Sequence, residues 1–194
     1  MAEEKPIGWQ EDFDLLAQFN AGNGEAFTRI VEKHSGPLIN FLYRYTQNQS
    51  SSEDLAQEAF LRLYKAAPKL KPGAKLSTIL YKIAYNLAVD QARSNKSRSE
   101  RAPTHSLDGP GIQDPAGAPG SKPDSIYETK QQNKEVAAML AELPEAQQAA
   151  IMLRVYEGRS YCEIGEIMGL SVSSVESLLF RARQSLSKKF KDRS

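Results

Sequence analysis

Apolar residues recur along this chain at the three-to-four-residue spacing of amphipathic helices, in two blocks separated by a stretch without any such period. In the first block Phe13, Leu16, Ala17 and Asn20 give a short helical pattern, ended by Gly22-Asn23-Gly24. Phe27, Ile30, Val31 and His34 continue it to Gly36-Pro37. A break is expected there, because proline has no N–H to bond the preceding turn. Leu38, Phe41, Leu42 and Tyr45 resume the pattern. Ser51 and Ser52 offer N-caps ahead of Glu53 and Asp54, whose charge suits a helix N-terminus. Leu55, Ala59, Leu63 and Ala66 then carry a helix to Pro68. After a loop at 69–75, Leu76, Ile79, Leu80, Ile83, Ala84, Leu87 and Ala88 predict a long helix reaching Arg93. No useful length of chain alternates at the strand period and no internal repeat is visible, so the expected fold class is all-α.

The second block carries a more specific pattern. Pro144 suits the first turn of a helix that runs through Ile151 and Val155 to Gly158. Ser160 and Glu163 form a capping box, and Gly169 suits the left-handed end of the short helix it starts. Ser171 or Ser173 begins another helix, with Ser173-Ser-Val-Glu176 matching a second box. Helices joined by so short a turn must cross steeply. Gly165 lets the backbones approach, with Ile164, Met168, Leu170, Val172 and Val175 expected to fill the crossing. That is a helix-turn-helix. Along its last helix Val175, Leu179, Ala182, Leu186 and Phe190 form one stripe expected to be buried. The opposite face shows Ser173, Ser174, Glu176, Ser177, Phe180, Arg181 and Gln184, with Arg183 close by. The N-terminal half of such a helix meets base edges in the major groove while arginines hold phosphates. Glu176 is either an acceptor for cytosine N4 or an ordinary helix-start acid. A plain bundle of capped helices would share these caps and glycines. The ordered set Ser160, Glu163, Gly165, Gly169 and Val175 favours DNA binding.

Between the blocks, from Ala102 to Ser125, Pro103, Pro110, Pro115, Pro119 and Pro123 alternate with Gly109, Gly111, Gly117 and Gly120. Neither helix nor strand is expected there. The chain therefore divides into a unit at 8–101, a linker at 102–127 and a unit at 128–191, which suits its 194 residues. Lys plus Arg total 25 and Asp plus Glu 24, so binding to a polyanion must come from local clusters. One cluster is Lys69, Lys71, Lys75, Lys82, Arg93, Lys96, Arg98 and Arg101, with Tyr81, Tyr85 and Asn86 among them. Positive charge with rings and an amide is what holding an unpaired strand requires. In the alternative, the tyrosines pack in the core and the lysines are merely solvated.

Asp54, Gln57, Glu58 and Leu61 sit at helical spacing and make an acidic, partly apolar ridge. Such a ridge suits a basic helical partner, or is a solvated helix start. The single cysteine, Cys162, excludes an internal disulfide and points to a reducing compartment. His34 and His105 lie far apart in sequence, so no metal site is expected. Residues 1–10 lack a signal-peptide core, and nothing approaches a membrane span, so a cytoplasmic protein without membrane insertion is expected. Neither a phosphate loop nor a nucleophile–base set is present, so no enzymatic activity and no cofactor are expected.

Leu143-Pro-Glu-Ala-Gln, Gly158-Arg-Ser-Tyr-Cys-Glu-Ile-Gly and the run from Ser171 to Arg183 resemble region 4 of the extracytoplasmic-function sigma factors of the sigma-70 family. Asp54-Leu-Ala-Gln-Glu-Ala-Phe-Leu-Arg62 and the run from Leu80 to Arg93 resemble their region 2. The resemblance covers about residues 10–96 and 130–188. It implies an alternative sigma factor that directs core RNA polymerase to promoter DNA and commonly has an anti-sigma partner. It places Asp54, Gln57, Glu58 and Leu61 on the polymerase clamp helices. Lys69, Lys71, Lys75, Lys82, Tyr85, Asn86 and Arg93 then face the melted minus-ten strand. Ser173, Ser174, Glu176, Ser177, Phe180, Arg181 and Arg183 face the minus-thirty-five duplex. Two departures stand out. Leu76 and Ile79 occupy positions where the family usually carries Phe and Trp, and Glu176 and Leu178 occupy positions where many members are basic. The second departure argues against the commonest promoter sequence of the family. A dimeric helix-turn-helix regulator would need no counterpart of the first block, and a sigma-like decoy would bind an anti-sigma protein without directing transcription.

Overall fold

The computed structural model describes residues 7–70, 75–101, 136 and 138–193, and among them every regular element is helical. Helices α1 (Ile7–Asn20), α2 (Gly24–Thr46), α3 (Gln49–Ala66) and α4 (Leu76–Arg101), with a 3-10 turn at Ala67–Lys69, make one compact unit. Helices α5 (Glu145–Val155), α6 (Tyr161–Met168) and α7 (Val172–Arg193) follow. The expected linker at 102–127 lies outside the described residues.

In the N-terminal unit α2 is the central helix and packs against α1, α3 and α4. Gly22, at φ +101°, reverses the chain after α1, and the Asn23 side chain caps α2 by accepting from the Glu25 N–H. Leu16, Ile30, Leu38, Phe41, Leu42, Leu63, Leu76, Leu80 and Tyr81 are fully buried. Each such side chain contributes roughly 1.5–3 kcal/mol through burial. Tyr81 is thus a core residue, its ring centroid 5.3 Å from that of Phe41, and its availability to DNA is excluded. Leu76 is also sealed in the core, where an aliphatic side chain fills the space.

Three sequence expectations are corrected here. The break at Gly36-Pro37 does not occur, because α2 runs through Pro37. Gly36 and Pro37 are both exposed, so the bond lost to proline lies on the solvent side, while Leu38, Phe41 and Leu42 hold the following turns in the core. The cap of α3 is Asn48, not Ser51 or Ser52: its side chain accepts from the Ser51 N–H at 2.8 Å. Ser52 is buried and donates to the Gln49 carbonyl. Helix α4 continues past Arg93 to Arg101, through a polar run.

One buried charge ties α1 to α2. Asp12 is almost completely buried, with Lys33 Nζ 2.7 Å from Oδ1 and His34 Nε2 3.0 Å from Oδ2. Lys33 also reaches Glu11. Burial pushes the Asp12 carboxyl up, but the hydrogen bonds and charges of His34 and Lys33 outweigh it and leave the pKa below the ordinary value. Burial likewise lowers Lys33, and its bonds to Asp12 and Glu11 outweigh that and leave it raised.

In the C-terminal helices Ala149, Met152, Leu153, Ile164, Ile167, Val175, Leu179 and Ala182 are buried. Gly158, at φ +61°, turns the chain after α5. The capping box forms: the Ser160 N–H donates to Glu163 Oε2 and the Glu163 N–H donates to Ser160 Oγ. Gly169, at φ +68°, ends α6, and the Leu170 N–H donates back to the Gly165 carbonyl. Of the two expected caps it is Ser171 that starts α7, its Oγ accepting from the Ser174 N–H, two residues before the box expected at Ser173 and Glu176. Of the residues expected at the crossing, Ile164 and Val175 are buried and Met168 is half-buried, whereas Leu170 and Val172 are exposed at the turn itself. The expected buried stripe also fades. Leu186 is half-buried and Phe190 is 50% exposed. The far end of α7 is tied instead by Lys189, which pairs with Glu142.

Asp12→Asn is expected to lower stability at neutral pH by about 1–3 kcal/mol, because it weakens a buried, charge-assisted network. The Asp12 contribution is present above the unfolded carboxyl value of about 3.9 and is lost as pH falls through the lower folded value. Urea melts should therefore converge for wild type and variant in acid, and a gap independent of pH would refute the assignment. A Cβ at Gly165 would lie 2.7 Å from the Leu170 carbonyl oxygen, a backbone atom that cannot swing away. Gly165→Ala should cost about 1–3 kcal/mol in the same melts, and an unchanged midpoint would contradict the close crossing.

Candidate functional site

The site residues expected from the sequence fall on three helices, α3, α4 and α7, with Lys69 on the 3-10 turn before α4. On α3 the inner face is Leu55, Ala56, Ala59, Phe60 and Leu63. On the outer face Asp54 and Gln57 are exposed, Glu58 is half-buried, and Leu61 is 45% exposed. Arg62 Nε donates to Glu58 Oε1 at 2.8 Å, which offsets part of the acidity. The face continues to Tyr64, half of whose surface is exposed although its ring packs 4.8 Å from Phe19 and 5.1 Å from Phe27. The sequence analysis did not single out Tyr64. The signal was present, since Tyr64 follows Leu61 by one helical step.

On α4 the structure brings Lys82, Asn86 and Arg93 to one exposed stripe, spaced four and seven residues apart. Asp90 is exposed nearby, so the stripe is not purely basic. Tyr85 is half-buried, its ring edge-on to Tyr45 with centroids 6.2 Å apart. Lys75 is half-buried at the start of α4, and Lys69 is exposed at the end of the 3-10 turn. Lys71 lies outside the described residues.

On α7 Ser173, Ser174, Glu176, Ser177, Phe180, Arg181, Arg183 and Gln184 are all exposed, opposite the buried Val175, Leu179 and Ala182. The serines are held by local bonds. Ser171 Oγ lies 3.1 Å from Ser173 Oγ and 2.8 Å from Ser174 Oγ, and the Ser177 hydroxyl donates to the Ser173 carbonyl. Arg181 Nε donates to the Ser177 carbonyl, which lays the guanidinium along the helix. Beside these residues is a shallow hollow of about 430 Å³ lined by Ala146, Leu170, Leu178 and the same serines and arginine. At the far end of the motif the Arg154 guanidinium sits 5.2 Å from the Tyr161 ring centre and donates to the Arg159 carbonyl. Among the described residues no group of acidic, histidine or cysteine side chains could hold a metal. No described helix is long and apolar enough to cross a membrane.

The comparisons with known proteins agree with both blocks. Sigma-70 region 2 matches residues 30–98, and Sigma-70, region 4 matches residues 133–186. The ECF RNA polymerase sigma factor SigW of Bacillus subtilis is 30% identical over 181 residues, covering 91% of this chain and 95% of its own length. Among solved structures, CnrH in complex with the cytosolic domain of CnrY has a TM-score of 0.70 at 23% identity, with 95% of this chain and 99% of that one covered. The sigma factor RpoE of Bartonella quintana, in complex with the anti-sigma factor NepR, has a TM-score of 0.69 at 21% identity, over 85% and 96% of the two chains. With both sigma regions matched in order and SigW covered almost end to end, the chain belongs to the extracytoplasmic-function sigma factors of the sigma-70 family, alternative initiation factors of RNA polymerase.

Proposed function

We propose that this sigma factor divides its work between a region-2 unit at 8–101 and a region-4 unit at 128–191, joined by a linker at 102–127. The α3 ridge of Asp54, Gln57, Glu58 and Leu61 docks on core RNA polymerase. A ridge with this charge would be repelled by DNA and suits a basic helical partner. Lys69, Lys71, Lys75, Lys82, Tyr85, Asn86 and Arg93 hold the melted strand by neutralising phosphates and contacting unpaired bases. Ser173, Ser174, Glu176, Ser177, Phe180, Arg181 and Arg183 meet the upstream duplex in its major groove.

The observation that carries this reading is the two-sidedness of α7, with Val175, Leu179 and Ala182 sealed while Ser173, Ser177 and Arg181 stand in solvent. The chain performs no chemistry itself. Promoter opening is a shift in binding energy toward the melted state, made possible by contacts that exist only once the strands part. An anti-sigma protein is a further expected partner, as NepR is for the Bartonella protein. The cytoplasm, where core polymerase works, is the expected site of action.

Run-off transcription with core polymerase and genomic fragments tests the reading. Promoter-dependent products are expected, and none from any fragment would refute it. Asp54→Lys combined with Gln57→Ala should reduce the product at least tenfold, or roughly 1.4 kcal/mol in docking, without shifting the melting midpoint, because both side chains are exposed. Undiminished product would remove α3 from the polymerase interface.

A further inference from the structure

On the reading face of α7, Glu176 is the one acid among serines, arginines and a phenylalanine. Glu176, Phe180 and Arg183 recur at spacings of four and three and are all exposed, so they form one stripe along the edge of that face. Ser177 and Arg181 are tied to backbone carbonyls of their own helix. Glu176 has neither a hydrogen-bond partner nor an ion-pair partner among the described residues. A carboxylate without its own cation is a liability on a surface that approaches DNA, which carries one negative charge per about 1.7 Å of axis. The cost is offset only where the carboxylate meets a donor.

In the major groove the donors are the amino groups of cytosine N4 and adenine N6. Adenine sets its N7 acceptor beside N6, which matches an amide and repels a carboxylate. Cytosine presents its amino group without an adjacent acceptor of its own, so it is the base edge that a carboxylate fits. We infer that Glu176 reads cytosine and gives this sigma factor an upstream promoter element with a cytosine that the Glu176 side chain specifies. The inference rests on α7 being the duplex-reading helix. It adds that one base of the element is chosen by an acid, and that the acid penalises DNA lacking a donor at that step. Arg183, about two turns further along the same stripe, is placed to hold a phosphate.

The test is selection from a duplex library with randomised upstream elements, using the full chain assembled with core polymerase. Wild type should enrich one motif containing a cytosine. Glu176→Ala should lose the preference at that position alone, by about tenfold or more, while the rest of the motif survives. Glu176→Gln should move the preference toward adenine, which an amide matches through N6 and N7. An unchanged cytosine preference in Glu176→Ala would overturn the inference, as would a uniform gain in binding to every sequence, which would make Glu176 a repulsive charge only. A lower melting midpoint with an unchanged motif would likewise overturn it, in favour of a helix-start acid. If wild-type holoenzyme enriched no motif at all, the reading role of α7 would fall first and the Glu176 assignment with it. A motif that all three proteins share would leave α7 its role and remove only Glu176.

Discussion

The close approach of the turn before α7 to Gly165 of α6 is the constraint on which the C-terminal half depends. A hydrogen at that position lets the backbone of Leu170 come within a distance that any side chain would forbid. The tight turn in turn fixes which stripe of α7 is spent on the core. Once Val175, Leu179 and Ala182 are committed inward, Ser173, Ser177 and Arg181 must point outward, and the face proposed to read DNA exists as a consequence of packing. The same logic governs α3. Its inner stripe of Leu55, Ala59 and Leu63 leaves the acidic ridge no alternative but solvent or a partner.

The N-terminal unit solves a different problem, since four helices must agree on one core around α2. Apolar burial supplies most of the stabilisation, and the buried Asp12 supplies orientation. Its two partners, Lys33 and His34, occupy successive positions on α2, so the carboxylate pins α1 in both rotation and register. Aromatic packing continues outward from this core. Phe41 touches Tyr81 and Tyr45, and Tyr45 meets Tyr85, so the tyrosine nearest the proposed single-strand surface is held from behind by the core. A ring restrained in this way has less freedom to lose when it meets a base.

Much of this was legible in the sequence because it rests on local chemistry. The Ser160–Glu163 box, the glycine at 169 and the helical spacing of Leu76, Leu80 and Ala84 all depend on residues a few positions apart. The misses share a cause as well. Whether Pro37 ends a helix depends on which side of α2 faces water, and whether Phe190 is buried depends on what packs against the end of α7. Both are tertiary facts. The Ser51 and Ser52 pattern competed with Asn48, whose side chain, three residues before Ser51, was the better-placed acceptor. Asp12 was invisible as a buried charge because its partners lie about twenty residues away on another helix. Spacing alone left open whether the α3 ridge is a docking face or a solvated helix start, and the family resemblance is what favours the docking role proposed for it.

At the centre of the account is a division of labour between a body that works on polymerase and unpaired DNA and another that reads intact duplex. Footprinting a promoter fragment with permanganate and a backbone cleavage reagent addresses it most directly. With core polymerase present, the chain should protect an upstream duplex segment and expose reactive unpaired thymines downstream, and without polymerase it should produce no opening. A symmetric, palindromic footprint made by the chain alone, with no unpaired thymines when polymerase is added, would contradict it.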